Sequence, residues 1–248
     1  MSNNFEILQK AGESAGNFSS PPNPSQAGAA QSSLRPQPPL PAQGEVTKLV
    51  QRLFVLPGEA KAPGAVAFCG VAEGDGCSWV CAHAAEVLTS QVPGKVCVVD
   101  ANLRAPSLHR HFEMENAHGF AEAAKSTRPI AEFARRMAGS NLWLITSGVV
   151  GREPNGALNP ARLRTRLAEL RAEFEFVLID TPPLGMFNDG ILVGQAVDGV
   201  VLVVGSDSTR RESALIVKQS LDAARVPMLG AVFNRRTYPI PEKLYRKL

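Results

Sequence analysis

What this chain of 248 residues lacks narrows its role before any motif is read. No apolar run approaches the ~18 residues that a membrane-spanning helix requires. No charged-then-apolar leader opens it, so the expectation is a protein that stays in the cytosol. Charge of one sign is scarce: 26 Lys and Arg against 23 Asp and Glu leave a formal net charge of +3. That excess is too small and too dispersed to point to nucleic acid. No CxxC pair occurs, and Cys69, Cys77, Cys81 and Cys97 lie in or beside apolar runs. They read as reduced, small hydrophobes without zinc spacing. His109, His111 and His118 have no carboxylate at ligand spacing and read as surface histidines.

Composition divides the chain. Residues 1–13 carry a short helical pattern, FEILQKA from Phe5 to Ala11. Residues 14–44 are mostly Pro, Ser, Gln, Ala and Gly, with too little apolar surface to offset the entropy of ordering. A disordered linker is expected there. Residues 45–236 carry the globular pattern, and residues 237–248 form a basic tail with the only two tyrosines, Tyr238 and Tyr245. Within the globular part, strands are expected at 65–71, 96–100, 142–146, 176–180, 200–205 and 229–234. Their near-continuous apolar content suits a parallel sheet covered on both faces. Helices are expected between them: 78–91, one opened by Asn159 and Pro160, and one opened by a capping box over Thr209–Glu212 and running to Ala224. This rhythm predicts an α/β fold, a doubly wound, mostly parallel sheet that binds its ligand at the carboxyl ends of the strands.

Three strand ends carry chemistry. The segment CGVAEGDGCS, from Cys69 to Ser78, follows an apolar strand and opens a helix. Gly70, Gly74 and Gly76 allow the backbone to turn with positive φ and bring N–H groups near a phosphate, while the helix N-terminus favours an anion. The pattern G-x-x-x-x-G-K-[ST] asks for glycine and lysine where this chain has Val71 and Cys77. A second strand ends VVDANLRAP, from Val98 to Pro106, and another ends VLIDTPP, from Val177 to Pro183. An apolar strand ending in Asp180 beside such a loop is the arrangement in which a carboxylate holds Mg²⁺.

Residues 45–236 resemble the bacterial tyrosine kinases of capsule and exopolysaccharide systems, P-loop proteins related to the MinD and ParA ATPases. The matching segments are VVDANLRAP with His109, and IDTPP from Ile179 to Pro183. NDG at Asn188–Gly190, DGVVLVV at Asp198–Val204 and GAVFNR at Gly230–Arg235 support them, and the opening FEILQKA is similar to the N-terminal helix of stand-alone members. The resemblance implies a P-loop fold of the MinD/ParA type with ATP and Mg²⁺ as cofactors. It places Gly74, Asp75, Gly76, Cys77, Ser78 and Trp79 around the phosphates, and Asn234 with Arg235 at the adenine. It assigns catalysis to Asp100, Asn102 and Asp180, and the metal to Ser78, Asp100 and Asp180. It also implies a partner, the cytoplasmic segment of a Wzz-like membrane polysaccharide co-polymerase, and a peripheral place at the inner face of the plasma membrane.

The departures are concentrated in the catalytic motifs. Cys77 replaces the lysine that contacts the β- and γ-phosphates. Losing one or two charge-assisted contacts of ~1.5–3 kcal/mol weakens binding about tenfold to several-hundred-fold. The rate falls by roughly 10² or more, since the same cation stabilises the transition state. Asn102 replaces a carboxylate, Glu73 a proline, Trp79 adds a bulky ring after the loop, and Glu73 and Asp75 bring negative charge near the phosphates. The expectation is an ATP-binding regulator with impaired chemistry, a pseudokinase whose ATP and Mg²⁺ binding is weakened or lost. Two alternatives stand beside it: an active autokinase that phosphorylates Tyr238 or Tyr245 with Arg104 or a neighbouring subunit's arginine as rescuing cation, and a MinD/ParA-type positioning ATPase. Family rings form through Glu-x-x-Arg-x-x-Arg, where this chain has Glu45, Lys48 and Gln51. A homo-oligomer through that helix and a helix packed on its own domain through Val46, Leu49, Val50 and Leu53 are both open.

Overall fold

Successive strand residues face two cores rather than one core and water. In the computed structural model, which describes residues 40–56, 61–149 and 159–235, Ala65, Ala67 and Cys69 join one apolar cluster, and Val66 and Phe68 join another on the opposite face. The six residues Ala65–Gly70 (β1) are all buried. The same holds for Val96–Asp100 (β2), Phe176–Thr181 (β5) and Gly199–Gly205 (β6). This is why their sequences are apolar throughout instead of alternating.

Arg135–Arg136 (β3), Leu142–Ile145 (β4) and Met228–Asn234 (β7) complete a seven-stranded sheet of order β3-β4-β2-β5-β1-β6-β7. All pairings are parallel except β3 with β4. The sheet is the doubly wound, mostly parallel one expected, and β3 is its addition. Two arginines carry no apolar period, so only the pairing of Arg135 with Leu144 and Arg136 with Trp143 makes them a strand.

Helices Leu40–Val50 (α1), Cys77–Gln91 (α2) and Leu108–His111 (α3) cover one face, and Phe120–Ala123 (α4), Pro160–Glu173 (α5), Asp189–Gly194 (α6) and Arg211–Ala223 (α7) the other. α1 begins at Leu40, inside the stretch whose composition suggests a linker, and continues into a π-helical turn over Gln51–Val55. Pro41 falls in its first turn, where a missing N–H has no partner to lose. Val46, Val50 and Phe54 are buried on the domain, with Leu49 and Leu53 packed against them, while Glu45 pairs with Lys48 at 2.9 Å on the exposed side. α1 therefore packs on its own domain. The Asn159 side chain accepts the N–H of Ala161 at 3.0 Å and of Arg162 at 3.2 Å, the cap expected for α5.

The capping box at Thr209 does not form. Arg210 is the N-cap of α7 with no side-chain bond, and the Thr209 hydroxyl donates elsewhere. The helix at 5–11 and the tyrosine-bearing tail lie outside the described residues. No helix among the described residues is long and apolar enough to cross a membrane.

Candidate functional site

The loop between β1 and α2 is shaped by one carboxylate. Asp75 is 1% exposed, and its Oδ2 accepts the N–H of Val71 at 3.0 Å and of Ala72 at 2.8 Å. Its Oδ1 accepts the hydroxyl of Thr209 at 2.6 Å and of Ser208 at 3.4 Å, from the turn after β6. The negative charge expected to burden the phosphate site is thus satisfied from within, and Asp75 works as scaffold. Thr209 reaches Asp75 in place of capping α7 because a charge-assisted bond to a buried carboxylate is worth more than a neutral cap.

Gly76 follows with φ +80°, in the left-handed region, and serves as N-cap of α2. Asn234, at the end of β7, donates its amide to the Asp75 carbonyl at 2.9 Å and lies where a Cβ on Gly76 would sit. Any other residue at 76 would therefore meet both backbone strain and a side chain already in place. Arg235 follows, exposed, with φ +56°. Gly74 turns with φ +85° in open space, and Glu73 is exposed.

Behind the loop stand the acidic strand ends. Neighbouring strands β2 and β5 set Asp100 directly beside Asp180. Asp100 accepts the N–H groups of Asn102, Ser107 and Leu108 at 3.2, 3.1 and 3.0 Å, and so holds the turn into α3. Burial still pushes its carboxyl up to about 6, against the pull of those N–H groups and Arg110. Asp180 is fully buried and neither oxygen has a hydrogen-bond partner. Burial, then the Asp100 charge, pushes its carboxyl up to about 8. The Ser78 hydroxyl and Cys77 thiol lie beside it and pull the other way, without reaching either oxygen in bonding geometry.

Cys77, first residue of α2, holds a thiol whose pKa burial and then Asp180 raise well above the ordinary value. The group standing in the lysine position is therefore neutral. Asn102 is buried and uses its Oδ1 to accept the Ala105 N–H at 3.1 Å. Arg104 pairs with Asp189 at 3.1 Å and lies 4.0 Å over the Phe187 ring. Trp79 stacks on His83 at 5.1 Å.

The residues present fit a divalent cation beside phosphate. Two buried carboxylate oxygens without a donor next to a helix-opening serine form an incomplete hard-oxygen set, which suits Mg²⁺ because it keeps waters and phosphate oxygens as ligands. Asp180 and Ser78 are the residues placed to hold it, while Asp100 is already engaged by three backbone N–H groups. Among the described residues no group of three or more His, Cys, Asp or Glu is arranged to hold a metal by itself.

Two features of the site were invisible in the sequence. The Asp75 bonds to Ser208 and Thr209 span separations of 133 and 134 residues. His111 was expected at the surface, yet it faces Glu86 at 3.6 Å with His83 on the other side at 3.2 Å. Burial pushes the Glu86 carboxyl up, but those two histidines outweigh it and draw it down to about 2.

No family model matches the chain. Among known proteins it is 30% identical over 161 residues to "Tyrosine-protein kinase YwqD" of Bacillus subtilis, covering 65% of this chain and 68% of YwqD. It is 28% identical over 145 residues to "Tyrosine-protein kinase etk" of Escherichia coli, where the match spans 58% of this chain but 20% of full-length Etk. Among solved structures, the kinase domain of Etk superposes with a TM-score of 0.71 at 25% identity, over 80% of this chain and 79% of that one. The chimerical protein CapA2B2 gives 0.73 at 23%, over 82% and 88%. The same fold extends to the septum site-determining protein MinD from Pyrococcus horikoshii, with a TM-score of 0.58 at 19% identity over 74% and 76%.

Proposed function

Because this chain belongs to the bacterial tyrosine-protein kinases, we propose that it is an ATP-binding regulator of polysaccharide production that has lost most of the phosphotransfer of its relatives. The observation that carries the reading is the neutral Cys77 thiol set against Asp180, in a loop whose backbone frame is otherwise complete.

The N–H groups opening α2 bind phosphate oxygens, as helix N-termini do. The Ser78 hydroxyl and the Asp180 carboxylate hold Mg²⁺, which when bound supplies the positive charge shared by the phosphates and the acidic strand end. Asn234 lies on the loop at the position the family uses for adenine. Cys77 offers no charge to a developing transition state, and the Asn102 amide takes no proton from an attacking hydroxyl. Arg104 is held by Asp189 and Phe187, which counts against its service as a substitute cation. The regulator acts through the cytoplasmic segment of a membrane polysaccharide co-polymerase, at the inner face of the plasma membrane. There the ATP-bound state, rather than a phosphorylated tyrosine, is what the partner reads.

Titration calorimetry with ATP and Mg²⁺ on the full chain and on Cys77→Lys tests this. The expected result is weak binding by the natural chain and binding about tenfold to several-hundred-fold tighter in the variant. Unchanged affinity in the variant would refute the role given to Cys77. ATP-dependent phosphate on Tyr238 or Tyr245 of the natural chain, read by mass spectrometry, would establish an active autokinase instead.

A further inference from the structure

Arg104 ties together two of the turns that follow the strands ending at the candidate site. Its Nε and Nη2 donate to Asp189 Oδ2 at 3.3 and 3.1 Å, and its guanidinium lies 4.0 Å over the Phe187 ring. Arg104 belongs to the turn after β2, Phe187 to the turn after β5, and Asp189 opens α6. Gly190 lets α6 come this close. A Cβ there would stand 2.8 Å from the Leu184 side chain, 2.9 Å from Cys69 Sγ and 3.0 Å from the Thr181 hydroxyl. The NDG segment at Asn188–Gly190 thus captures the arginine of the NLRAP segment at Asn102–Pro106, across a separation of 85 residues.

The remaining links are backbone bonds. Leu184 and Gly185, in the turn after β5, donate their N–H groups to the carbonyls of Gly70 and Val71 at 2.8 and 3.0 Å, where the loop between β1 and α2 begins. The turn after β2 is closed by the Asn102 side chain on the Ala105 N–H, and it wraps Asp100 with three N–H groups. The Ala101 N–H donates to the Asp180 carbonyl at 2.9 Å. Arg104 therefore closes a ring. It runs from the β1–α2 loop to the turn after β5, across to the turn after β2, and back through Asp100 to Asp180.

We propose that Arg104 and Asp189 are positioning residues for Mg²⁺ at Asp180 and Ser78, a role that rests on the nucleotide-binding function proposed for the chain. The pair holds the turn after β2, and with it Asp100, against the end of β5, so that the acidic strand ends keep their place relative to the opening of α2. It acts through those strand ends and touches neither metal nor phosphate. The β1–α2 loop has its own brace in Asp75, which accepts the N–H groups of Val71 and Ala72. Loss of the Arg104–Asp189 pair therefore loosens the acidic side of the site and leaves the amides that open α2 where they are. Partners that orient metal ligands from outside are commonly worth about 10–100-fold in metal affinity.

Titration calorimetry of the full chain with ATP, once with Mg²⁺ and once with EDTA, tests the proposal on Asp189→Asn, Arg104→Ala and the double variant. Each is also made in the Cys77→Lys background, where binding is expected to be tighter. The readout is the ratio of the two affinities, with circular dichroism verifying the fold. Each single variant is expected to lower that ratio about tenfold, while affinity in EDTA changes by less than about threefold. The double variant is expected to lose no more than either single one, because the two residues act through each other. An unchanged ratio would overturn the proposal, whether affinity stays the same or falls equally with and without Mg²⁺, since the pair would then serve the fold alone. A gain in ATP affinity in Asp189→Asn that Arg104→Ala abolishes would also overturn it, by making the guanidinium a phosphate ligand held in reserve. If neither the natural chain nor Cys77→Lys binds ATP, the nucleotide-binding function itself is refuted and the proposal falls with it.

Discussion

Asp75 and Asp180 are both buried carboxylates at the candidate site, and their surroundings are opposite. Asp75 accepts two backbone N–H groups and two hydroxyls, so its charge is met on every side. Asp180 accepts none and has a second carboxylate as neighbour. A buried charge surrounded by donors fixes a structure, whereas one without them invites an ion from outside. The first explains how the loop keeps its shape without the usual lysine. The second leaves two carboxylate oxygens without a donor, and the group keeps its proton instead.

Asp75→Ala breaks the fixed half of this pair and is the most damaging change expected. It leaves the Ala72 amide and the Thr209 hydroxyl without their acceptor, at about 1–3 kcal/mol for each donor, and the Val71 amide with the Val203 carbonyl alone. Denaturant unfolding should show a loss of about 3 kcal/mol or more. A loss below about 1 kcal/mol would show that the loop holds its shape by other means. Thr209→Val removes only the Oδ1 partner at 2.6 Å and should cost about 1.5 kcal/mol, with little effect on α7, which Thr209 does not cap.

The smallest change is expected in the other half. The folded state holds the Asp180 proton to about 8 against an ordinary value of 3.8, so its share of stability is complete below the lower value and is lost as pH rises through the higher. Melting temperature of the ligand-free protein should therefore fall between about pH 4 and 8, with Asp100 adding to the lower part of that range. Asp180→Asn should flatten the upper part. It should raise the melting temperature near pH 8 by about 3 °C, equivalent to about 1 kcal/mol, and leave it unchanged near pH 4. An unaltered pH profile in this variant would place the titrating group elsewhere.

The sheet was legible because every strand buried on both faces reads as an apolar run. Val96–Asp100 and Phe176–Thr181 were evident for that reason, and Arg135–Arg136 was not. Local capping also spoke clearly at Asn159, where donor and acceptor are two and three residues apart. It misled at Thr209, because the competing acceptor Asp75 is close only in the folded chain. The acidic strand ends were legible as types of residue. Their roles were not, since the donors reaching Asp100 but not Asp180 depend on the turn into α3 and on strand register.

The Asn234 amide lies in the space that a Cβ on Gly76 would claim, and it holds the Asp75 carbonyl. The last strand and the first turn of α2 are thereby one machine part, though 158 positions separate their residues in the sequence. Engineering cannot treat the two as independent dials: a larger residue at 234 would push on the turn at 76, and a residue with a side chain at 76 would evict Asn234. Any redesign of this turn has to vary the two positions as a single coupled unit.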